Sequence, residues 1–128
     1  MQSPVLSFRR RLLMEALTVL AADAQIQVLW LVEHAVMTDE IALGFDHAFR
    51  MADALVAEGQ LAHAVVADLQ EIDVILSGMS GGENADRWTS NALSTDEGWA
   101  LARRLARRVL VAELGAWQQP LPEVSVIR

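Results

Sequence analysis

Apolar residues recur every three or four positions along almost the whole chain of 128 residues, which is the spacing of one face of an α-helix. A clear stripe of this kind contains Ile41, Phe45, Ala48, Phe49, Ala52, Leu55 and Val56. The continuous apolar run Val28–Val32 also suits a buried strand, but no second strand accompanies it. The spacing therefore predicts an all-α protein, a compact bundle of about five helices in a single domain that covers residues 1–128.

Residues that favour helix ends divide this pattern into five helices. Pro4 suits a first helical position because it has no N–H to leave unpaired, and Ser3 can cap that helix. The predicted helices run from Pro4 to the residues before Asp23, from Asp23 to about His34, from Thr38 or Asp39 to Gly59, from about Leu61 to Ser77 and Gly78, and from a capping box of Ser94 and Glu97 to Leu114, with Gly115 as the C-cap. Residues 77–91, which include three glycines, are predicted to form a long irregular loop.

Composition narrows the class of protein. Hydrophobic residues make up 53% of the chain, which is ample for one core, yet the longest strongly apolar run is Val28–Val32. A membrane-spanning helix needs about 20 consecutive apolar residues, so no membrane partner is predicted. The arginines Arg9, Arg10 and Arg11 are not followed by the apolar segment and cleavage site of a signal peptide. The chain has no cysteine and hence no disulfide, and a cytoplasmic location is predicted.

Charge is unevenly distributed along the chain. The formal net charge is −7, but residues 12–102 contain fifteen acidic residues and only two arginines, which gives −13 for that segment. An acidic body of this kind repels nucleic acid and attracts basic partners over long distances. The alternative is an acidic surface that only keeps the protein dispersed in solution.

The sequence shows no arrangement of residues that is typical of catalysis. The three histidines, His34, His47 and His63, lie in no His-Glu-x-x-His or Glu-x-x-His sequence, so no zinc or di-iron site is predicted. The serines of the loop belong to no Gly-x-Ser-x-Gly elbow that follows a strand. A phosphate-binding loop would need a lysine, which the chain lacks. We therefore predict a protein that is not an enzyme and that binds no metal or cofactor.

The candidate partner-binding residues are Asp68, Glu71, Glu83, Asp86 and Trp88. Asp68 and Glu71, three residues apart, share one helix face, and no arginine lies nearby on the same helix to neutralise them. These acids predict a surface for a partner rich in arginine or lysine, and a solvated face without a partner is the alternative. Trp88 suits an interface hot spot, although it equally suits an anchor that holds the loop on the core.

The last predicted helix carries a stripe of four arginines, Arg103, Arg104, Arg107 and Arg108. Basic stripes are typical of nucleic-acid binding. Here the charge of the whole chain has the wrong sign, and no aromatic residues alternate with the arginines. We therefore predict no nucleic-acid partner and interpret the stripe as a solvated surface that forms ion pairs with acidic neighbours.

A resemblance to a known family rests on four segments: Arg9–Trp30 (RRRLLMEALTVLAADAQIQVLW), Asp39–Gly59 with its two phenylalanines, Leu69–Leu76, and a last helix that begins near Trp99. In helix order, size and acidity the chain resembles small helical immunity proteins of bacterial contact-dependent and polymorphic toxin systems and their actinobacterial relatives. The resemblance implies a cytoplasmic, non-catalytic protein that binds a cognate toxin domain and blocks its active site or its access to substrate. The glycine-rich loop and the arginine-rich last helix do not match that pattern.

The leading functional hypothesis is an immunity- or antidote-like protein that neutralises a basic toxin, for example a nuclease, by masking its active surface. One alternative is a homo-oligomeric structural bundle, in its simplest form a homodimer, that buries apolar surface between copies. The other alternative is a helical domain that binds or modifies a small molecule in a pocket between helices.

Overall fold

The computed structural model describes residues 4–122 of the chain, with side chains from Phe8 onward. Those residues contain no strand, and they form α1 (Pro4–Ala21), α2 (Ala24–His34), α3 (Asp39–Phe49), α4 (Ala52–Ala57), α5 (Val66–Gly78), α6 (Ala92–Thr95) and α7 (Glu97–Leu114). Two 3-10 segments, His63–Val65 and Gly82–Trp88, accompany them. The all-α prediction is confirmed, whereas the expected number of about five helices is too low. Pro4 is the first residue of α1, and its predicted cap Ser3 lies outside the described residues.

Two of the predicted helices are each divided into two. The third breaks at Met51, whose backbone leaves helical geometry (φ −98°, ψ 5°) and separates α3 from α4. The last breaks at Asp96, which is extended (φ −85°, ψ 130°) between α6 and α7. The predicted capping box is therefore wrong, because the Asp96 carboxylate caps α7 by accepting a hydrogen bond from the Gly98 N–H at 2.7 Å. The Ser94 hydroxyl instead donates to the carbonyl of Asn91.

Three helices are followed by a residue in the left-handed region. Gly59 (φ 73°) and Gly115 (φ 85°) take this conformation after α4 and α7, as the sequence predicted. Ala35 (φ 52°) takes it after α2, although its Cβ makes this conformation about 1–2 kcal/mol less favourable than in glycine. The N–H groups of Ala35 and Val36 bond to carbonyls in the last turn of α2, which holds the chain in this turn.

The core lies inside a ring of four helices. α7 packs between α1 and α5, α3 packs against α1, and a less extensive contact between α3 and α5 closes the ring. The fully buried residues at its centre include Leu13, Leu17, Leu69, Ile72, Trp99 and Val109. Among residues 4–122, no single helix is long and apolar enough to cross a membrane. By length and composition alone, residues 8–21 and α2 meet that requirement only together, as a pair bent by 119°.

A polar junction fixes the C-terminal end of α1 against α2 and α7. Arg103 donates to the carbonyls of Ala22 (3.0 Å) and Leu93 (2.7 Å) and to the side-chain oxygen of Gln27 (3.0 Å). Arg107 donates to the carbonyl of Ala21 (2.8 Å). Burial, together with the nearby charge of Arg107, lowers the pKa of Arg103. Positive side chains are stabilising at a helix C-terminus, where carbonyls lack partners within the helix.

The arginine stripe of α7 therefore holds the fold together more than the sequence indicated. Two expected ion pairs do form, from Arg107 to Asp23 (2.8 Å) and from Arg108 to Asp68 (3.3 Å). The interpretation as a solvated stripe is wrong for Arg103, because its three hydrogen bonds are made inside the junction.

Candidate functional site

The glycine-rich segment that follows α5 is held firmly on the core. The indole N–H of Trp88 donates to the carbonyl of Met79 at 2.8 Å, and the Trp88 ring packs edge-on against Trp99, with 5.4 Å between ring centroids. Arg87 binds both carboxylate oxygens of Asp96, at 2.8 and 3.2 Å. The hydrogen bond from Arg87, helped by the Gly98 N–H, holds the pKa of Asp96 below its usual value. The prediction of a wholly irregular loop is wrong, since 3-10 turns form over Gly82–Trp88, with a kink at Asn84 (φ −105°, ψ 17°).

This anchored segment forms one wall of a cleft between α3 and α5, which we call the α3–α5 cleft. Its volume is about 440 Å³. It is lined by Asp39, Ala42, Leu43, Phe45 and Asp46 of α3, by Asp73, Leu76 and Ser77 of α5, and by Ser80, Gly81 and Trp88 of the segment after α5. Phe45 and Leu76 are buried, whereas Asp73 and Trp88 are half-buried, so an apolar floor lies below a polar rim.

Helical spacing explains why these residues share the cleft. Asp39 and Asp46 are seven positions apart and therefore lie on the same face of α3, two turns from each other. Asp73 and Ser77 are four positions apart on α5 and share its face toward α3. Three carboxylates line the cleft, and no arginine or histidine does.

Only one of the three carboxylates has an ionic partner nearby. Asp46 accepts a hydrogen bond from Arg50 at 2.9 Å in an exposed pair one turn apart on the chain. Within residues 4–122, Asp39 and Asp73 take part in no ion pair. Exposed pairs such as Asp46–Arg50 contribute only about 0–1 kcal/mol and exchange partners at little cost. The cleft thus presents at least two carboxylates that are free to bind an external cation.

The chemistry of the cleft suits an organic cation. Carboxylates accept charge-assisted hydrogen bonds from guanidinium or ammonium groups, and the ring of Trp88 offers an aromatic face to such a cation. The Ser80 hydroxyl donates to the Leu76 carbonyl (3.3 Å), and no histidine lines the cleft beside it. Within the described part of the chain, no three histidine or carboxylate side chains are grouped as a metal site requires.

The structure places the five predicted partner-binding residues in different surroundings. Trp88 is both a loop anchor and a wall of the α3–α5 cleft. Asp68 is largely covered and forms an ion pair with Arg108 of α7, so its countercharge comes from another helix. Glu71, Glu83 and Asp86 are exposed, and none of them forms an ion pair with another described residue. Asp68 lies ten residues, about 15 Å along the axis, before the end of α5, and Glu83 and Asp86 lie in the segment beyond that end.

The acids that line the α3–α5 cleft are not among the partner-binding residues predicted from the sequence. Asp39 enters the prediction only as a possible first residue of a helix, and Asp73 does not enter it. A partial signal was available, because Asp73 and Ser77 lie on one face of a predicted helix. The spacing within each helix does not reveal that α3 and α5 lie side by side, so the cleft itself was not visible in the sequence.

A second cavity of about 560 Å³ lies among α1, α2 and α3. Its floor includes Val19, Trp30 and Ile41, and the Trp30 indole N–H donates to the carbonyl of Pro122 at 2.9 Å. Its charged lining is mixed, with Arg9, Glu15, Glu40 and His47. Its lining thus contains charges of both signs, whereas the charged residues that line the α3–α5 cleft are all acidic.

No protein-family model, no curated protein and no solved structure matches this chain. The chemistry of the two cavities is accordingly the observation from which function is inferred.

Proposed function

We propose that this protein is a non-enzymatic binding module that captures a basic protein partner in the α3–α5 cleft. One observation carries the proposal, namely that Asp39, Asp46 and Asp73 meet in one cleft that no basic residue lines. A cationic side chain of the partner would enter between the carboxylates and lie against Trp88. The surrounding acidic surface would speed the encounter by long-range attraction.

The resemblance to immunity proteins suggests what the partner is. A basic toxin domain, for example a nuclease, has a positive substrate-binding surface that an acidic module in the cytoplasm would mask. Neutralisation by occupancy needs no catalytic group, only a surface that competes for the toxin's substrate-binding site. This protein would then act as an antidote that competes with the toxin's anionic substrate.

The test uses a synthetic nona-arginine peptide as a probe for the cleft. Association and dissociation rates are measured for the wild type and for Asp39→Asn/Asp73→Asn, across a series of salt concentrations. We expect the double variant to bind at least about tenfold more weakly, which corresponds to about 1.4 kcal/mol. The wild-type association rate should fall as salt rises, because the Debye length shrinks from about 10 Å at 0.1 M to about 3 Å at 1 M.

A matched control removes the same amount of charge outside the cleft. In Glu71→Gln/Asp86→Asn, two exposed acids of the face predicted from the sequence become neutral. We expect this variant to keep binding within about threefold, a change that reflects net charge alone. If the control loses binding and the cleft variant does not, the partner face is the one predicted from the sequence. Equal binding of a nona-glutamate peptide would refute recognition by charge.

A further inference from the structure

One face of α2 carries apolar side chains that no described part of the chain covers. Ile26, Leu29 and Val32 are 41, 57 and 72% exposed, and Met37, just beyond the helix, is 75% exposed. The opposite face of α2 is buried against the core. Single exposed apolar residues are ordinary, but a contiguous group of them marks an interaction surface. We call these four residues the α2 patch.

The α2 patch differs from the rest of the surface because it carries no charge. No charged residue lies between Asp23 and Glu33, and the Asp23 carboxylate is neutralised by Arg107 at 2.8 Å. The segment around it, residues 12–102, has a net charge of −13. Two copies of this chain, each with a net charge of −7, repel each other, and repulsion is smallest for an approach through the uncharged residues 24–32. An anionic membrane surface repels the acidic body as well.

The arrangement of the patch is symmetric about Leu29. Ile26 lies three residues before it and Val32 three residues after it, at equal distances along the axis and at about 60° to either side. A two-fold axis at Leu29 therefore brings apolar residues of both copies together. In this arrangement, Ile26 of each copy lies at the same height along the helix axis as the partner's Val32. Such an interface, in which the same patch serves both subunits, is the usual geometry of homodimers.

Charge at the end of the helix favours the antiparallel orientation. Antiparallel pairing places each Glu33 beside the N-terminus of the partner's α2, where the helix dipole stabilises a negative charge and where the Asp23 carboxylate is already paired with Arg107 at 2.8 Å. Parallel pairing would bring the two Glu33 carboxylates together. A two-fold axis perpendicular to the helix requires the antiparallel arrangement, so symmetry and electrostatics agree.

We propose that α2 joins two copies of this chain in an antiparallel homodimer centred on Leu29. The inference is independent of the proposed function, because α2 contributes no residue to the α3–α5 cleft. An interface formed by a single helix face is small, and small interfaces are typical of weak, concentration-dependent dimers. The dimer would present two acidic clefts to a basic partner.

Sedimentation velocity from low-micromolar to submillimolar concentration tests the dimer. We expect wild-type dimerisation to strengthen as salt rises, because salt screens the repulsion between the acidic bodies. Binding of a basic partner in the cleft should instead weaken as salt rises. The two proposals can therefore be refuted independently of each other. Leu29→Glu places two carboxylates at the symmetry axis and should weaken dimerisation at least about tenfold. Val74→Glu, at an exposed position (68%) on α5, is the matched control and should leave dimerisation unchanged.

A charge-swap experiment tests the symmetry itself. L29E and L29R should each be monomeric and folded by circular dichroism, and an equimolar mixture should form a heterodimer, because opposite charges then meet at the axis. A wild type that stays monomeric over the whole range overturns the proposal, as does an L29E variant that dimerises like the wild type. Adsorption of a monomeric wild type to neutral phosphatidylcholine vesicles would overturn it in favour of a lipid surface.

Discussion

Gln27 and Gln60 are two buried glutamines in opposite situations. The Gln27 amide N–H group donates to the carbonyls of Val19 and Leu20, both at 3.0 Å, and its oxygen accepts from Arg103 at 3.0 Å. The side-chain amide of Gln60 is also buried, yet neither its nitrogen nor its oxygen has a partner among the described residues. The glutamine side chain thus joins α1, α2 and α7 by hydrogen bonds at position 27, whereas at position 60 its polar atoms are unsatisfied.

Gln60 lacks side-chain partners within residues 4–122 even though polar groups surround it. Its backbone carbonyl accepts from Arg10 at 2.8 Å, and Glu113 accepts from Arg10 (3.3 Å) and from the N–H of Ala62 (3.2 Å). Arg10, Glu113 and the N–H of Ala62 form hydrogen bonds with one another and with the Gln60 backbone carbonyl. None of these groups bonds to the Gln60 side-chain amide. A buried amide without a partner destabilises a fold by about 1–3 kcal/mol. Burial of a polar group is favourable only when partners are placed for it.

The largest expected effect comes from a substitution of Arg103, at the centre of the polar junction that contains Gln27. Arg103→Met should lower the free energy of unfolding by about 3 kcal/mol, because the carbonyls of Ala22 and Leu93 and the Gln27 oxygen lose their donor. Urea unfolding with an unchanged slope measures this loss. Arg104→Met, at the exposed neighbouring position, is the control and should change stability by less than about 0.5 kcal/mol. Equal effects of the two substitutions would show that the junction does not stabilise the fold.

The second prediction compares the two glutamines directly. Gln27→Leu should lower the free energy of unfolding by about 2 kcal/mol, since two carbonyls and Arg103 lose their partner. Gln60→Leu should raise it by about 1 kcal/mol, because it replaces two unsatisfied polar atoms with an apolar side chain of similar size. The opposite signs of the same substitution are the decisive result. Destabilisation by Gln60→Leu would reveal a partner of Gln60 such as a buried water.

The smallest effect belongs to Asp96, whose ion pair with Arg87 is only partly buried. Asp96→Asn keeps a cap residue on α7 but removes the charge, so it should cost about 1 kcal/mol at pH 7. Because the folded-state pKa of Asp96 is lowered, its contribution is fully present above the unfolded value of about 3.9 and is lost as pH falls through the folded value. Thermal melts from pH 7 to pH 2 should therefore show the difference from wild type shrinking in acid. The exposed control Asp86→Asn should show no such pH dependence, and a constant difference for Asp96→Asn would exclude the ion pair as its cause.

The sequence by itself determined the helical class and much of the local detail. The predicted apolar stripe lies in the core, where Ile41, Phe45 and Leu55 are buried, and the helix ends predicted at Asp23, Gly59 and Gly115 are confirmed. These features depend on residues within one or two turns of each other, where helical geometry fixes which side chains meet. The sequence does not decide between two neighbouring candidates for the N-cap of the last helix, because Ser94 and Asp96 are both residues that favour this position. In the structure, Asp96 is the N-cap.

Only the tertiary structure decided which polar groups found partners. Arg103 reaches Gln27 across 76 positions of sequence, and Asp68 is neutralised by an arginine forty positions away. The α3–α5 cleft likewise exists only because α3 and α5 close the ring of helices side by side. Helical periodicity states which face of each helix is apolar, but it does not state which helices become neighbours. Hydrogen bonds and ion pairs between helices depend on that packing, so Gln27 and Gln60 look alike in the sequence and differ in the fold.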